Sequence, residues 1–266
     1  PYTTLFRSQQ FPIECEKSGE EWIEALKKIP PTSFYISGGE PFLYKDLPYI
    51  INNLPAKHSI IGIVTNLSMP INIYKKVSKK IHLNVSFHRE FVSEADFIEK
   101  ILALKNSFHI NINIVATEEN FDFIKNKIQV FKQNGIPYHI DPLIDNANKI
   151  HEYSNDYKKL LEKHLEESRT FNTEENLAQK IPKKCSAGRN YYNLLPNGDA
   201  VICARIIDYK YSPFIQEEVD ESVCLGNIFD DSFHLKSNDC ICKYDCIAHC
   251  DRDYAKITAI KNKVHK

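Results

Sequence analysis

The chain has 266 residues, 42% hydrophobic and 26% charged, a balance that fits a globular protein and excludes a disordered one. Its 34 basic and 35 acidic residues nearly cancel, so neither nucleic acid nor an anionic membrane surface is expected as a partner. No apolar run approaches the roughly 20 residues that cross a bilayer, and no stretch near the start reads as a signal peptide, so a soluble cytoplasmic protein is expected.

Residues 1–8, Pro-Tyr-Thr-Thr-Leu-Phe-Arg-Ser, resemble the conceptual translation of a common sequencing adaptor. They are set aside from fold reasoning, and the natural protein is expected to begin further upstream. Ser18 and Glu21 form a capping box ahead of Trp22, Ile23, Leu26 and Ile29 on one helical face, and Pro30-Pro31 ends the segment. Apolar, strand-like runs then begin near Ser33, Ser59, His82, His109 and Pro137. Between them lie helical patterns: Leu47, Ile50, Ile51, Leu54, then Phe97, Ile98, Ile101, Leu102, then Phe121, Ile124, Ile128, Phe131 closed by Gly135. Such alternation predicts an α/β fold with a parallel sheet, because parallel neighbours need a crossover helix. In the fourth strand His109, Asn111 and Asn113 alternate with Ile110, Ile112 and Ile114, so one face is expected to meet water or a ligand.

Residues 143–184 read as a helical linker, with Ser154 capping a helix that carries Tyr157, Leu160, Leu161 and Leu165. Composition changes at Cys185: seven of the eight cysteines fall in the last 82 residues. With no secretory signal recognised, this clustering points to metal or iron-sulfur ligation rather than disulfides. Pro196-Asn197-Gly198-Asp199 predicts a hairpin, and with Asn197 and Gly198 in the turn Cys203 falls opposite Tyr192. A curl of chain before the hairpin would bring Cys185 beside it. Cys242, Cys246 and Cys250 are spaced by four, one face of a helix if that segment is helical.

The first strand runs into Ser37-Gly38-Gly39-Glu40-Pro41. Two glycines leave no side chain between the main chain and a ligand, Glu40 supplies a fixed negative charge, and Pro41 pins the exit. This motif after a strand resembles the cofactor cradle of radical S-adenosylmethionine (radical SAM) enzymes, in which it holds the amino group of the methionine moiety. Farther on, Cys185, Gly198 followed by Cys203, Cys224-Leu-Gly-Asn-Ile and the Cys240-x-Cys242-x3-Cys246-x3-Cys250 knuckle resemble the SPASM or twitch auxiliary-cluster domain of that family. The two resemblances cover about residues 30–142 and 185–250.

The resemblance implies a partial (β/α)6 TIM-like barrel over 9–142 that lacks its first strand, the 143–184 linker, and a small Cys-rich hairpin and knuckle domain over 185–266. It implies S-adenosylmethionine bound by Ser37, Gly38, Gly39 and Glu40, with Asn66 and Ser86 at later strand ends touching the cofactor. For those two, capping of the strand ends is the alternative. His88 reads equally as an acid, a base, a substrate contact or a structural histidine. Thr117-Glu118-Glu119-Asn120 closes the fourth strand in the same way.

An auxiliary 4Fe-4S cluster on Cys185, Cys203, Cys240, Cys242, Cys246 and Cys250 follows from the resemblance, with Cys185, Cys203 and two knuckle cysteines as the best first set. Two cubes held entirely by thiolates need eight cysteines, so one cluster, or two with an open or non-cysteine position, is expected. Cys224 is read as a buried thiol and Cys15 as a lone one. The knuckle departs from the family's usual Cys-x-x-Cys-x5-Cys-x3-Cys, and the Cys-x-x-x-Cys-x-x-Cys loop of the catalytic cluster is absent from these residues. Four knuckle cysteines could hold zinc, which leaves Cys185 and Cys203 unexplained. The implied activity is reductive cleavage of S-adenosylmethionine and hydrogen abstraction from a peptide or small-molecule substrate, with a flavodoxin or ferredoxin as electron donor. A non-catalytic iron-sulfur or zinc module is the alternative.

Overall fold

The structure, a computed structural model, describes residues 17–143, 151–165, 186–203 and 223–238. By their contacts these fall into two units, one of residues 31–143 and 151–165, the other of 17–30, 186–203 and 223–238.

In the first unit β1 (Ser33–Ile36), β2 (Ser59–Thr65), β3 (His82–Ser86), β4 (His109–Ala116) and β5 (Tyr138–Pro142) form one parallel sheet in sequential order. The crossovers carry α2 (Leu47–Asn53), the single turn α3 (Ile71–Tyr74), α4 (Glu94–Leu104) and α5 (Phe121–Gln133), and α6 (Asn155–Leu165) follows. All five strands start within one residue of the positions expected from sequence.

Strand register divides the sheet into two chemically different faces. Leu83 pairs with Ile110, Val85 with Ile112 and Ile114 with Ile140, so these apolar side chains share a face. They belong to one core with Leu47 and Ile51 of α2, Phe97, Ile101 and Leu104 of α4, and Phe123, Ile124, Ile128 and Phe131 of α5. Each fully buried Phe, Ile or Leu contributes about 2 kcal/mol, and that burial holds the helices on this face. Helix ends follow local chemistry: Ser93 accepts from Asp96 N at α4, and Ile136 N and Gly135 N close α5 on Phe131 O and Lys132 O. The other face is polar, as the alternation in β4 led one to expect.

In the second unit α1 (Gly19–Lys28) carries the expected capping box, with Ser18 Oγ accepting from Glu21 N and Ser18 N donating to Glu21 Oε2. Trp22 meets Phe229 edge-on at 5.0 Å. The C-terminal residues form a three-stranded antiparallel sheet of β6 (Asn193–Leu194), β7 (Asp199–Val201) and β8 (Cys224–Asn227). Its core contains Ala187, Leu195, Ala200, Ile202, Val223 and Leu225.

The hairpin is present, but its register differs from the expected one. Asn193 pairs with Val201 and Leu194 with Ala200, which places Cys203 in line with Tyr191 rather than Tyr192. The cause is the loop: Leu195 N donates to Asp199 O and Gly198 N to Leu195 O, so Pro196, Asn197 and Gly198 all lie in the turn. A three-residue loop ending in a left-handed residue shifts pairing by one. Gly198 has φ +87°, and a Cβ there would stand 2.2 Å from Phe229 Cδ2, so both backbone and packing require glycine.

The Leu-Gly-Asn-Ile segment, recognised only as a motif, proves to be a strand and a latch. Leu225 is fully buried, and Asn227 Nδ2 donates to Asn197 O at 3.0 Å and to Asp199 Oδ1 at 2.9 Å. Cys224, expected to be buried, is instead half-buried in β8.

Candidate functional site

Two places gather residues singled out in the sequence. The first is the C-terminal end of the parallel sheet, where open α/β sheets bind ligands.

Ser37 and Gly39 are exposed and Gly38 half-buried, whereas Glu40 is 8% exposed. Gly38 has φ +155°, and nothing lies within 4 Å of where a Cβ would stand, so bare main chain faces open space there. The Glu40 carboxylate turns inward. Its Oε1 accepts from Phe42 N at 3.1 Å, its Oε2 from Asn66 N at 2.7 Å, and Thr65 Oγ1 lies 2.9 Å from both oxygens. Glu40 thus braces the Gly-Gly loop against the end of β2. Burial pushes its pKa above the ordinary carboxylate range, against the opposing pull of the bonds from Asn66, Phe42 and Thr65 and the charge of Lys100.

The turn after β2 is held just as firmly. Leu67 is fully buried at φ 56°, a conformation costing a non-glycine residue about 1–2 kcal/mol. Its N–H donates to Thr65 Oγ1, and its carbonyl accepts from the buried Lys100 Nζ at 2.8 Å. Lys100 also pairs with Asp96 at 2.8 Å. Asn66, half-buried, accepts from Ser68 N at 2.9 Å. Two hydrogen bonds and full burial thus hold a left-handed non-glycine residue at a strand end.

Ser86 pairs in register with Asn113, and Asn113 with His139, a polar row across three strands on the face away from the helical core. One row farther, His139 Nε2 lies 2.9 Å from Asp141 Oδ1. That bond raises the pKa of His139 above the ordinary histidine value despite partial burial. His88, half-buried just beyond β3, has its pKa lowered by burial. On the same polar face Asn84 Nδ2 donates to Tyr35 Oη at 3.2 Å across β2, and the Tyr35 ring lies where a Cβ of Gly62 would be. This face therefore presents hydroxyl, amide, carboxylate and imidazole groups able to hydrogen-bond a polar ligand.

Sequence reasoning missed Lys100, Tyr35, Asn84, His139 and Asp141. His139 and Asp141 flank Ile140, the same alternation that was noticed in β4, and Gly62 inside an apolar run signals a close approach. Nothing local marks Lys100, whose partner Leu67 is distant in sequence.

The second place is in the C-terminal unit. Lys236 N donates to Gly188 O at 2.9 Å, and Ile202 Cγ2 lies 2.8 Å from where a Cβ of Gly188 would be. Ile202 N in turn donates to Val223 O at 3.0 Å. Gly188, Ile202, Val223 and Lys236 are thereby neighbours, and in sequence they closely precede or follow Cys185, Cys203, Cys224 and Cys240. Among the expected ligands Cys203 is described and half-buried, while Cys185, Cys240, Cys242, Cys246 and Cys250 lie outside the described residues, as does Cys15. Among the described residues no group of three or more His, Cys, Asp or Glu side chains stands ready to hold a metal ion.

No family model and no curated protein matches this chain. Among the described residues no helix is long and apolar enough to cross a membrane.

Proposed function

We propose that this chain is part of a radical SAM enzyme, its sheet an arc of a partial (β/α)6 barrel and its C-terminal unit a SPASM-like auxiliary iron-sulfur domain. The observation that carries the reading is the open main chain at Gly38, in the Ser37–Gly39 loop, together with a polar face on the same parallel sheet. Main-chain carbonyls of Ser37–Gly39 would receive the ammonium of S-adenosylmethionine, with Glu40 fixing the loop rather than touching the ligand first. Asn66 and Ser86 would meet its hydroxyl or carboxylate groups, and Asn113, His139 and Asp141 a polar substrate. Bound there, S-adenosylmethionine would supply, on one-electron reduction, the radical chemistry for hydrogen abstraction from a substrate. The protein's task is to orient the cofactor and exclude water. A peptide side chain is the favoured substrate class, and a flavodoxin or ferredoxin the electron donor.

Anaerobic equilibrium dialysis with S-adenosylmethionine tests the reading. The chain is expected to bind it, and Ser86→Ala or Gly39→Val to weaken binding about tenfold or more, about 1.4 kcal/mol. Absence of binding overturns the proposal. The 266 residues contain no Cys-x-x-x-Cys-x-x-Cys, so this chain alone is expected to form no 5′-deoxyadenosine under reducing conditions. The second reading is a non-catalytic iron-sulfur or zinc-binding module, which metal uptake without S-adenosylmethionine binding would support.

A further inference from the structure

We infer that Lys100 is a positioning residue of the ligand site, holding the turn after β2 in the shape that Asn66 and the Gly-Gly loop need. The inference rests on the S-adenosylmethionine reading and adds to it a residue from the helical layer. Lys100 lies in α4 on the face that carries Phe97, Ile101 and Leu104 into the core, and it is 7% exposed. An ammonium taken out of water has to be partnered. Lys100 Nζ meets Asp96 Oδ2 at 2.8 Å, one helical turn earlier, and donates to Leu67 O at 2.8 Å, from the turn after β2. The Asp96 side chain is 48% exposed, so the ion pair by itself adds little stability. An apolar side chain of the same length would fill the core as well. What the ammonium alone supplies is a donor for the Leu67 carbonyl.

That carbonyl belongs to the residue that makes the turn. Leu67 has φ 56°, its N–H is held by Thr65 Oγ1 and its carbonyl by Lys100, so both of its backbone groups serve to keep the turn. The residue before it, Asn66, gives its N–H to Glu40 Oε2 at 2.7 Å, and Glu40 Oε1 accepts from Phe42 N just beyond the two glycines. A continuous run of bonds therefore leads from α4 through Leu67, Thr65 and Glu40 to the loop. Lys100 acts through Asn66 and Glu40 rather than on the ligand itself. Its charge also reaches the Glu40 carboxylate and draws that pKa down, against burial. Beside Glu40 stands Tyr74, 3.4 Å from Thr65 Oγ1, a phenol that burial keeps neutral.

The test compares Lys100→Met, which keeps the length of the side chain and removes its charge and donors, with Ile101→Val, a change in the same core that removes no hydrogen bond. In anaerobic equilibrium dialysis of the full chain with S-adenosylmethionine, Lys100→Met is expected to weaken binding about tenfold or more, and Ile101→Val less than about twofold. The loss should be less than additive with that of Asn66→Ala, because both act on one contact. Without ligand, amide exchange at Asn66 and Leu67 should quicken in Lys100→Met. A carbon-13 NMR titration should show the Glu40 pKa moved further up, a change that lost packing alone does not make. Lys100→Gln, which keeps a donor, should show the same changes in smaller measure, and it stands in where Lys100→Met does not fold. If both variants bind as Ile101→Val does, or exchange at Asn66 is unchanged, Lys100 is no positioning residue and the S-adenosylmethionine reading stands. If the wild-type chain binds no S-adenosylmethionine, that reading itself fails and this inference with it.

Discussion

Replacing Thr65 with valine keeps the shape of the side chain and removes one hydroxyl, which isolates the clamp behind the Gly-Gly loop. That hydroxyl lies 2.9 Å from both Glu40 oxygens and accepts from Leu67 N at 3.1 Å, in a site 1% exposed. Losing a bond to a charged acceptor costs about 1.5–3 kcal/mol and stranding the Leu67 amide about 1 more, while the added methyl returns about 0.8. The net loss should be about 2–3 kcal/mol. With a urea m-value of about 2 kcal/mol/M, the midpoint falls by about 1 M or slightly more. The assay is urea unfolding followed by far-ultraviolet circular dichroism, with Trp22 fluorescence recorded alongside because the sole tryptophan belongs to the other unit and should hardly respond. The pH dependence carries a definite sign. Glu40 has a raised pKa in the fold, so the stability it contributes is complete only below the ordinary carboxylate value and is lost as pH climbs from there through the raised one. Thr65→Val removes a bond that lowers that pKa, so the decline should steepen and reach to higher pH. A loss under about 0.5 kcal/mol, or strict additivity with Glu40→Gln in a double-mutant cycle, would refute the clamp.

Other consequences are equally measurable. Asp141→Asn should lower the pKa of His139, read by NMR titration of its ring, because the bond to Asp141 is the chief cause of its elevation. Correspondingly, the stability this bond contributes in the wild type should be full below the unfolded histidine value and disappear as pH rises through the folded one. Gly198→Ala forces a left-handed residue against Phe229 and should cost about 2–4 kcal/mol, visible as accelerated amide exchange at Leu195 and Ile228. Asn227→Ala removes the latch on Asn197 and Asp199 and should destabilise the C-terminal unit by about 2 kcal/mol without moving the circular-dichroism transition of the parallel sheet.

Periodicity made the parallel sheet legible, since each strand is a short β-branched run and each helix shows its buried face at Leu47, Phe97 or Phe121. The hairpin was legible in kind but not in register: Pro-Asn-Gly suits a two-residue and a three-residue loop alike, and only packing of Gly198 on Phe229 selects the second. At the candidate site the loop Ser37–Glu40 was visible from its residues, yet the direction of the Glu40 side chain was not. An acid beside two glycines can point at a ligand or back into the fold, and here the amides of Phe42 and Asn66 draw it back. Cys224 was misjudged for a related reason. It pairs with the fully buried Val201 yet is itself half-buried, a difference in exposure that spacing alone does not reveal.

The contact between Trp22 and Phe229 has a consequence for how the chain is made. Residues 31–165 are consecutive, so the sheet can assemble as soon as they leave the ribosome, whereas α1 emerges first and belongs to a unit completed last. At about 5–20 residues per second, roughly 10–40 s separate synthesis of the two rings. During that interval Trp22 has no Phe229 to pack on, and the newborn chain carries an amphipathic helix in need of temporary shelter.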